Sequence, residues 1–293
     1  MGIRLAKTLG GEILSADSRQ IYRHMDIGTA KPTEEELAAV PHHLIDILDP
    51  AQPYSAGKFV EDADRIIARL DRDGIPCIVL GGTALYIRAL MRGLVSVPAT
   101  PPELKREVFE MAARRGVSAC FDRLKRLDPK SAEALHPNDG SRICRALEVI
   151  LHTGRSIRDF QEEHGFDRER YSGYYLGIRW QREELYERID ERVAQMVRNG
   201  LIEETAALIE RGYGESLPAM RSIGYGQAVR YLGGSMSKEE MVRDIRQKTR
   251  RYAKKQMTWY RRNGEINWLH QNRLTDRAQR EVAAFLQAGP ASR

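Results

Sequence analysis

Apolar residues recur along this chain with two different periods. At Ile3, Leu5, Ala6 and Leu9, and more fully at Phe59, Ala63, Ile66, Ile67 and Leu70, they return every three or four positions. That spacing puts them on one face of a helix. The first group predicts the end of a helix over residues 3–9, stopped by Gly10-Gly11. The second predicts a helix from about Ala56 to Arg72, ended by Gly74. Elsewhere the apolar residues run together. Glu12-Ile13-Leu14-Ser15-Ala16 predicts a short strand, and Asp17-Ser18-Arg19-Gln20 a turn into a helix. His42 to Ile47 predicts a second strand, set between Pro41 and the Asp49-Pro50 turn. Ile75 to Leu80 is an unbroken apolar strand, as in a parallel sheet covered on both faces. Gly81-Gly82-Thr83 then turns into a helix over Ala84 to Leu90. Strand and helix alternate, which predicts an α/β fold.

Pro98 to Pro102 breaks this rhythm. The pattern that follows is helical alone, over 103–115, 117–127, 130–135, 139–153 and 156–163. We read residues 98–173 as an inserted helical domain, and 1–97 with 174–293 as the α/β core. Tyr174 to Trp180 returns to strand, and from Gln181 onward the pattern predicts helices only.

Composition narrows the class. The 293 residues are 42% hydrophobic and 30% charged, enough apolar material for a core. No apolar run approaches the ~20 residues of a membrane helix, and the start, Met1-Gly2-Ile3-Arg4-Leu5-Ala6-Lys7, is too polar for a signal peptide. Cys77, Cys120 and Cys144 lie far apart and form no CxxC pair, against a disulfide framework or a zinc site. The expectation is a monomeric, cytoplasmic protein with no membrane partner. Net charge is +6, and residues 246–262 hold eight Lys or Arg with no Asp or Glu. A solvated face usually mixes both signs; this one points to phosphate contact.

Four places carry candidate chemistry. Asp17 ends a strand and opens a turn. It serves either as an Asx-turn or helix N-cap residue or as a carboxylate able to act as general base or to hold Mg²⁺. Thr83, after Gly81-Gly82, either caps its helix or belongs to an anion site at a helix N-terminus. Both residues fall at the carboxyl ends of strands, where ligands sit in such sheets. His42 and His43 are adjacent on a strand and point to opposite faces, which argues against one metal held by both. In the basic stretch, Ile245, Thr249, Tyr252, Gln256 and Trp259 form one helical stripe, expected to face the core. Arg251, Lys254, Lys255 and Arg262 project elsewhere.

Read together, these residues resemble a known family. Ser15-Ala16-Asp17-Ser18-Arg19-Gln20-Ile21-Tyr22 and Met25-Asp26-Ile27-Gly28-Thr29-Ala30-Lys31-Pro32 look like the signature of tRNA dimethylallyltransferases. Val40 to Asp46, Gly81 to Tyr86, Arg145 to Val149, Arg221 to Tyr225 and Arg251 to Trp259 are similar to further family blocks, in family order. The resemblance implies a P-loop NTPase-like parallel-sheet core with a helical insertion that grips the anticodon arm of tRNA. It implies transfer of a dimethylallyl group from dimethylallyl diphosphate to the exocyclic amine of the adenosine 3′ of the anticodon, with Mg²⁺ assisting. By the same resemblance Asp17, Thr83 and Arg221 are catalytic, and Arg221 and Lys31 bind the diphosphate. Asp17, Ser18, Arg19, Gln20 and Thr83 contact the target nucleotide. Lys105, Ser141, Arg142, Ile143, Cys144 and Arg145 bind tRNA from the insertion, and Arg251, Lys254 and Lys255 from the basic helix.

The chain departs from the family at its front. Family members open with a strand and a loop of the form GPTAxGKT, and Met1-Gly2 begins inside the helix that follows. The expectation is that these residues bind tRNA but transfer no dimethylallyl group without that loop, and that the sheet has unpaired edges and marginal stability. Two rival readings are an inactive tRNA-binding remnant and an adenylate isopentenyltransferase acting on free nucleotide. The insertion and the basic helix favour tRNA over the second.

Overall fold

The computed structural model describes residues 1–166, 168–270 and 276–288. It divides into two compact units, Met1–Met91 with Tyr171–Arg293, and Arg92–Arg170.

In the first unit, α1 (Gly2–Leu9) ends where Gly10 turns left-handed at φ 61°, and buries Leu5 and Ala6. A three-stranded parallel sheet has β1 (Glu12–Ser15) in the middle, β2 (His42–His43) on one side and β3 (Cys77–Leu80) on the other. Ile13 and Leu14 of β1 are both buried, as a central strand covered on two faces requires. α3 (Ala56–Arg72) is N-capped by Ser55 and buries Phe59, Ala63 and Leu70, the first two in one cluster with Leu14 of β1. α4 (Ala84–Arg92) follows β3. β4 (Leu176–Arg179) and β5 (Asn267–His270) form a second parallel pair. Around them run α9 (Arg182–Arg198), α10 (Leu201–Glu210), α11 (Tyr225–Leu232), α12 (Lys238–Tyr260) and α13 (Asp276–Ala288). α2 (Glu34–Ala39) carries a capping box on Thr33.

Three expectations need correcting. The strand expected over His42–Ile47 stops after two residues, because Leu44 and Asp46 take φ of 63° and 56° and leave the extended region. Asp17–Gln20 leads into turns and not a helix. The C-terminal third is not helical throughout, since β5 interrupts it to pair with β4.

The second unit is helical. α5 (Pro102–Leu127) bends at Gly116, whose φ of 80° breaks one long pattern into two helices. α6 (Pro129–Glu133), α7 (Gly140–Thr153) and α8 (Ile157–His164) pack with it around Val108, Phe121, Leu124, Ile143 and Leu147.

One contact ties β1 to β2 and α3. Glu12 accepts from His43 Nε2 at 2.6 Å and from Arg69 Nη2 at 2.7 Å. Burial raises the Glu12 carboxyl, but the bonds from His43 and Arg69 outweigh it and hold the group below its ordinary value of 4.5. A depressed carboxyl contributes stability above its unfolded pKa, and loses it as pH falls through the folded value. We expect Glu12→Gln to cost about 1–3 kcal/mol near neutrality. The gap to the parent should close as the pH drops below 4.5 in urea unfolding. A gap that is constant with pH would mean the carboxylate charge contributes nothing.

Candidate functional site

The carboxyl ends of β1 and β3 are cross-bonded, and this brings the candidate residues together. Ala16 N–H donates to Leu80 O at 2.6 Å, and Thr83 N–H donates to Ala16 O at 3.3 Å. Gly81 makes the approach possible: a Cβ there would lie 2.3 Å from Ala16 O. Thr83 Oγ1 then accepts the N–H of Ser18 at 3.1 Å, which sets its hydroxyl beside the Asp17 turn.

Asp17 divides its two oxygens. Oδ1 accepts the N–H groups of Arg19 at 2.7 Å and Gln20 at 3.3 Å, an Asx turn. Oδ2 has no partner among the described residues. The turn reading and the reactive reading are therefore compatible, because the first oxygen orients the second. Arg19 Nη1 donates to Pro218 O at 3.4 Å, which places the 215–221 loop against this turn. In that loop Arg221 donates Nε–H to Glu215 O and Nη2–H to Ser216 O, both at 2.9 Å. Its Nη1 is left without a partner among the described residues.

α12 closes the other side. Gln256 donates to Gly82 O at 2.9 Å. One turn earlier on the same face, Tyr252 senses Asp17: partial burial first, and the Asp17 charge second, push its phenol above the ordinary range. Trp259 holds the Arg88 guanidinium 5.3 Å from its ring centroid, and Leu85 lies one turn before Arg88 on α4. Leu85, Tyr252 and Trp259 are 45%, 46% and 38% exposed. This corrects the expectation for the α12 stripe. Ile245 faces the core, but Tyr252 faces Asp17, Gln256 faces Gly82, and Trp259 lies against Arg88 of α4. Tyr252 and Gln256 were readable in the sequence only as members of that stripe.

Other expected residues are placed differently. Lys31 is a correction: its ammonium donates to Tyr22 O and Asp26 Oδ1, each at 2.6 Å, and to Asp46, and its side chain is 4% exposed. Its three hydrogens are spent on holding the 22–31 loop, leaving none for a diphosphate. The same loop is held from the other side by Glu204, which accepts the N–H groups of Asp26, Ile27 and Gly28 at 3.0, 2.9 and 3.2 Å. Gln20 donates to Ala30 O at 3.0 Å and so braces this loop. Ser18 contributes its backbone N–H, as above.

In the helical unit, Lys105, Ser141 and Arg142 are exposed, and Asp139 caps α7 by accepting from Arg142 N–H at 3.3 Å. Ile143 is a second correction, since its side chain is fully buried in the unit's core and cannot touch RNA. Cys144 packs on the same core, and burial pushes its thiol up to about 11. Arg145 donates to Thr100 Oγ1 at 3.0 Å and to Glu148 at 3.2 Å. Arg251, Lys254 and Lys255 are exposed on α12 and make no ion pair among the described residues. Among the described residues no group of three or more His, Cys, Asp or Glu gathers as a metal site. No helix among them is long and apolar enough to cross a membrane.

The comparisons bear on the same residues. The family model described as IPP transferase matches residues 20–263. The tRNA dimethylallyltransferase of Geobacter metallireducens is 49% identical over 92% of this chain and 87% of its own length. Of the solved structures, the full-length tRNA isopentenylpyrophosphate transferase of Bacillus halodurans is 36% identical, with a TM-score of 0.70 over 98% of this chain and 90% of that one. A eukaryotic dimethylallyltransferase acting on tRNA is 25% identical, with a TM-score of 0.82 over 100% of this chain and 77% of that one. Matched across most of its length by sequence and by fold, the chain belongs to the tRNA dimethylallyltransferase family.

Proposed function

We propose that this protein transfers a dimethylallyl group from dimethylallyl diphosphate to the exocyclic amine of the adenosine 3′ of the anticodon in tRNA, releasing diphosphate. The observation that carries the reading is the divided Asp17 carboxylate, with one oxygen held by the turn and one free, in a turn whose next residue, Ser18, is bonded to Thr83, in a chain of this family. An exocyclic amine has its lone pair delocalised into the ring, so a base must take its proton as the C–N bond forms. Asp17 Oδ2 takes that proton while the C–O bond to the diphosphate breaks. The free Nη1 of Arg221 meets the charge left on the diphosphate. The partly exposed ring of Tyr252 beside Asp17 suits a five-carbon chain or a purine face.

Mg²⁺ fits this donor set. It binds through few protein oxygens together with substrate phosphates, and the Thr83 hydroxyl, a hard oxygen donor beside the Asp17 turn, would hold it with the diphosphate while Asp17 Oδ2 stays available for the proton. When bound it supplies positive charge to the leaving diphosphate. Ser18 and Arg19 contact the target nucleotide of tRNA, and in the helical unit Lys105, Ser141, Arg142 and Arg145 are its tRNA-binding residues. The target base leaves its stack to reach Asp17. The protein acts as a monomer in the cytoplasm.

The test is single-turnover transfer of labelled dimethylallyl diphosphate to tRNA and to AMP in competition. Labelled tRNA supports the reading, and labelled AMP alone overturns it. For the basic helix, the Arg251→Ala/Lys254→Ala/Lys255→Ala variant should weaken tRNA binding roughly tenfold or more. It should also flatten the salt dependence by about one unit of log–log slope for each phosphate the variant leaves unneutralised. An unchanged slope would remove these residues from the interface.

A further inference from the structure

Glu204 lies on α10, and no step of the transfer uses it. Its carboxylate is nevertheless fully engaged. Oε2 accepts the N–H of Asp26 at 3.0 Å and of Ile27 at 2.9 Å, and Oε1 accepts the N–H of Gly28 at 3.2 Å. The Tyr225 hydroxyl donates to Oε1 as well. These four donors fill the acceptor sites of the two oxygens. None of them is a cation, and Glu204 makes no ion pair among the described residues. A half-buried carboxylate is costly to desolvate without such bonds. Its charge is spent on fixing a stretch of backbone.

That stretch is tied to the site on two sides. It runs on to Thr29 and Ala30, whose carbonyls accept from Gln20 Nε2 at 3.4 and 3.0 Å. Gln20 in turn donates its backbone N–H to Asp17 Oδ1 at 3.3 Å, and its Oε1 accepts from Ser15 Oγ at 3.4 Å. Gln20 is thus the one residue between the loop held by Glu204 and the Asp17 carboxylate. On the other side, Tyr225 opens α11 four residues after Arg221, and its side chain is fully buried. Gly28 packs on that ring, where a Cβ would lie 2.4 Å from Tyr225 Cε2. The Gly28 N–H also donates to the Tyr225 hydroxyl at 3.2 Å. Burial first, and the Glu204 charge second, push the Tyr225 phenol far above its ordinary range, so it stays a donor. Gly28, Glu204 and Tyr225 therefore join the segment that carries Asp17 to the segment that carries Arg221.

We infer that Glu204 is a positioning residue for the transfer reaction, which with Tyr225 fixes the spacing between the Asp17 carboxylate and the Arg221 guanidinium. Base and guanidinium serve opposite ends of one transition state, the attacking amine and the leaving diphosphate. An error of about 1 Å in their separation is worth ~10²-fold in rate. The inference rests on Asp17 and Arg221 having the roles proposed above.

The experiment compares Glu204→Gln, Tyr225→Phe, Gln20→Ala and the double variant Glu204→Gln/Gln20→Ala in the full chain. Each is followed by urea unfolding, equilibrium tRNA binding and single-turnover transfer at saturating tRNA and dimethylallyl diphosphate. Glu204→Gln keeps the size of the side chain but meets four donors with a single oxygen. Its rate, corrected for the folded fraction, should fall roughly 10- to 100-fold, with tRNA affinity within about threefold of the parent. Tyr225→Phe removes one bond to the carboxylate and should lower the rate roughly 3- to 10-fold. It keeps the inference open to refutation if Glu204→Gln does not fold. The double variant should lose less than the product of the two single losses, because Glu204 reaches Asp17 through Gln20. Single losses that multiply in the double variant, or a rate that only follows the folded fraction, would make Glu204 a structural residue and overturn the inference. A parental rate in Tyr225→Phe and in folded Glu204→Gln would overturn it too. Each of those results leaves transfer to tRNA by the parent standing. A parent that labels no tRNA would overturn the function proposed above and this inference with it.

Discussion

Replacing Asp17 by Asn should cut the dimethylallyl transfer rate roughly 10²- to 10⁴-fold, the usual worth of a general base. The structure makes this a clean substitution. Oδ1 of Asp17 holds the turn by accepting from Arg19 and Gln20, and an Asn oxygen can accept the same two N–H groups. What changes is the second oxygen, which becomes an amide nitrogen unable to take a proton. tRNA affinity should therefore move far less than the rate. Asp17→Ala removes the turn bonds as well, and should lose rate and affinity together. Both are measured by single-turnover transfer beside equilibrium tRNA binding. Equal losses of rate and affinity in Asp17→Asn would make Asp17 a positioning residue and leave the proton to another group.

Gly81→Ala should be the most damaging small substitution at the site. Its Cβ would lie 2.3 Å from Ala16 O and 2.4 Å from Ala16 C, both backbone atoms of the neighbouring strand end. Nothing flexible can yield there, so the ends of β1 and β3 must separate. Overpacking of this kind costs about 1–3 kcal/mol. The separation also carries Thr83 away from Asp17, and a misplacement near 1 Å is worth ~10²-fold in rate. Gly82→Ala is the control. Its Cβ meets Gln256 Nε2 at 2.1 Å, the far end of a flexible side chain. That variant should lose the bond from Gln256 to Gly82 O and little stability. Urea unfolding and transfer rates for the pair decide it. Equal stability in the two variants would mean the strand ends are not held together as described.

Much of this was readable from local pattern alone. The helices over Ala56–Arg72 and Gly140–Thr153, the strands at Ile13 and Val79 and the left-handed stop at Gly10 each depend on a few neighbouring residues. A helix or strand that buries one face writes that face into its own sequence period. Asp17 and Thr83 were legible for the same reason, because a strand end followed by a turn marks the ligand side of a parallel sheet. The kink at Gly116 was equally local, a glycine between two helical patterns.

What the tertiary structure alone decided concerns which elements meet. Asn267–His270 is a short, half-polar segment with no strand period of its own, and it extends because β4 lies beside it. The stretch after His43 has the composition of a strand, yet Leu44 and Asp46 turn left-handed, and Asp46 reaches the Lys31 ammonium. Lys31 is a free cation in the sequence and a saturated one in the fold. The α12 stripe has one period along its whole length, but Ile245 is buried in a core while Tyr252 and Trp259 are left partly exposed. Periodicity records which residues share a face. Whether that face is covered by core, substrate cleft or solvent depends on residues far away in the chain, and so do the pairings that spend some charges and leave others free.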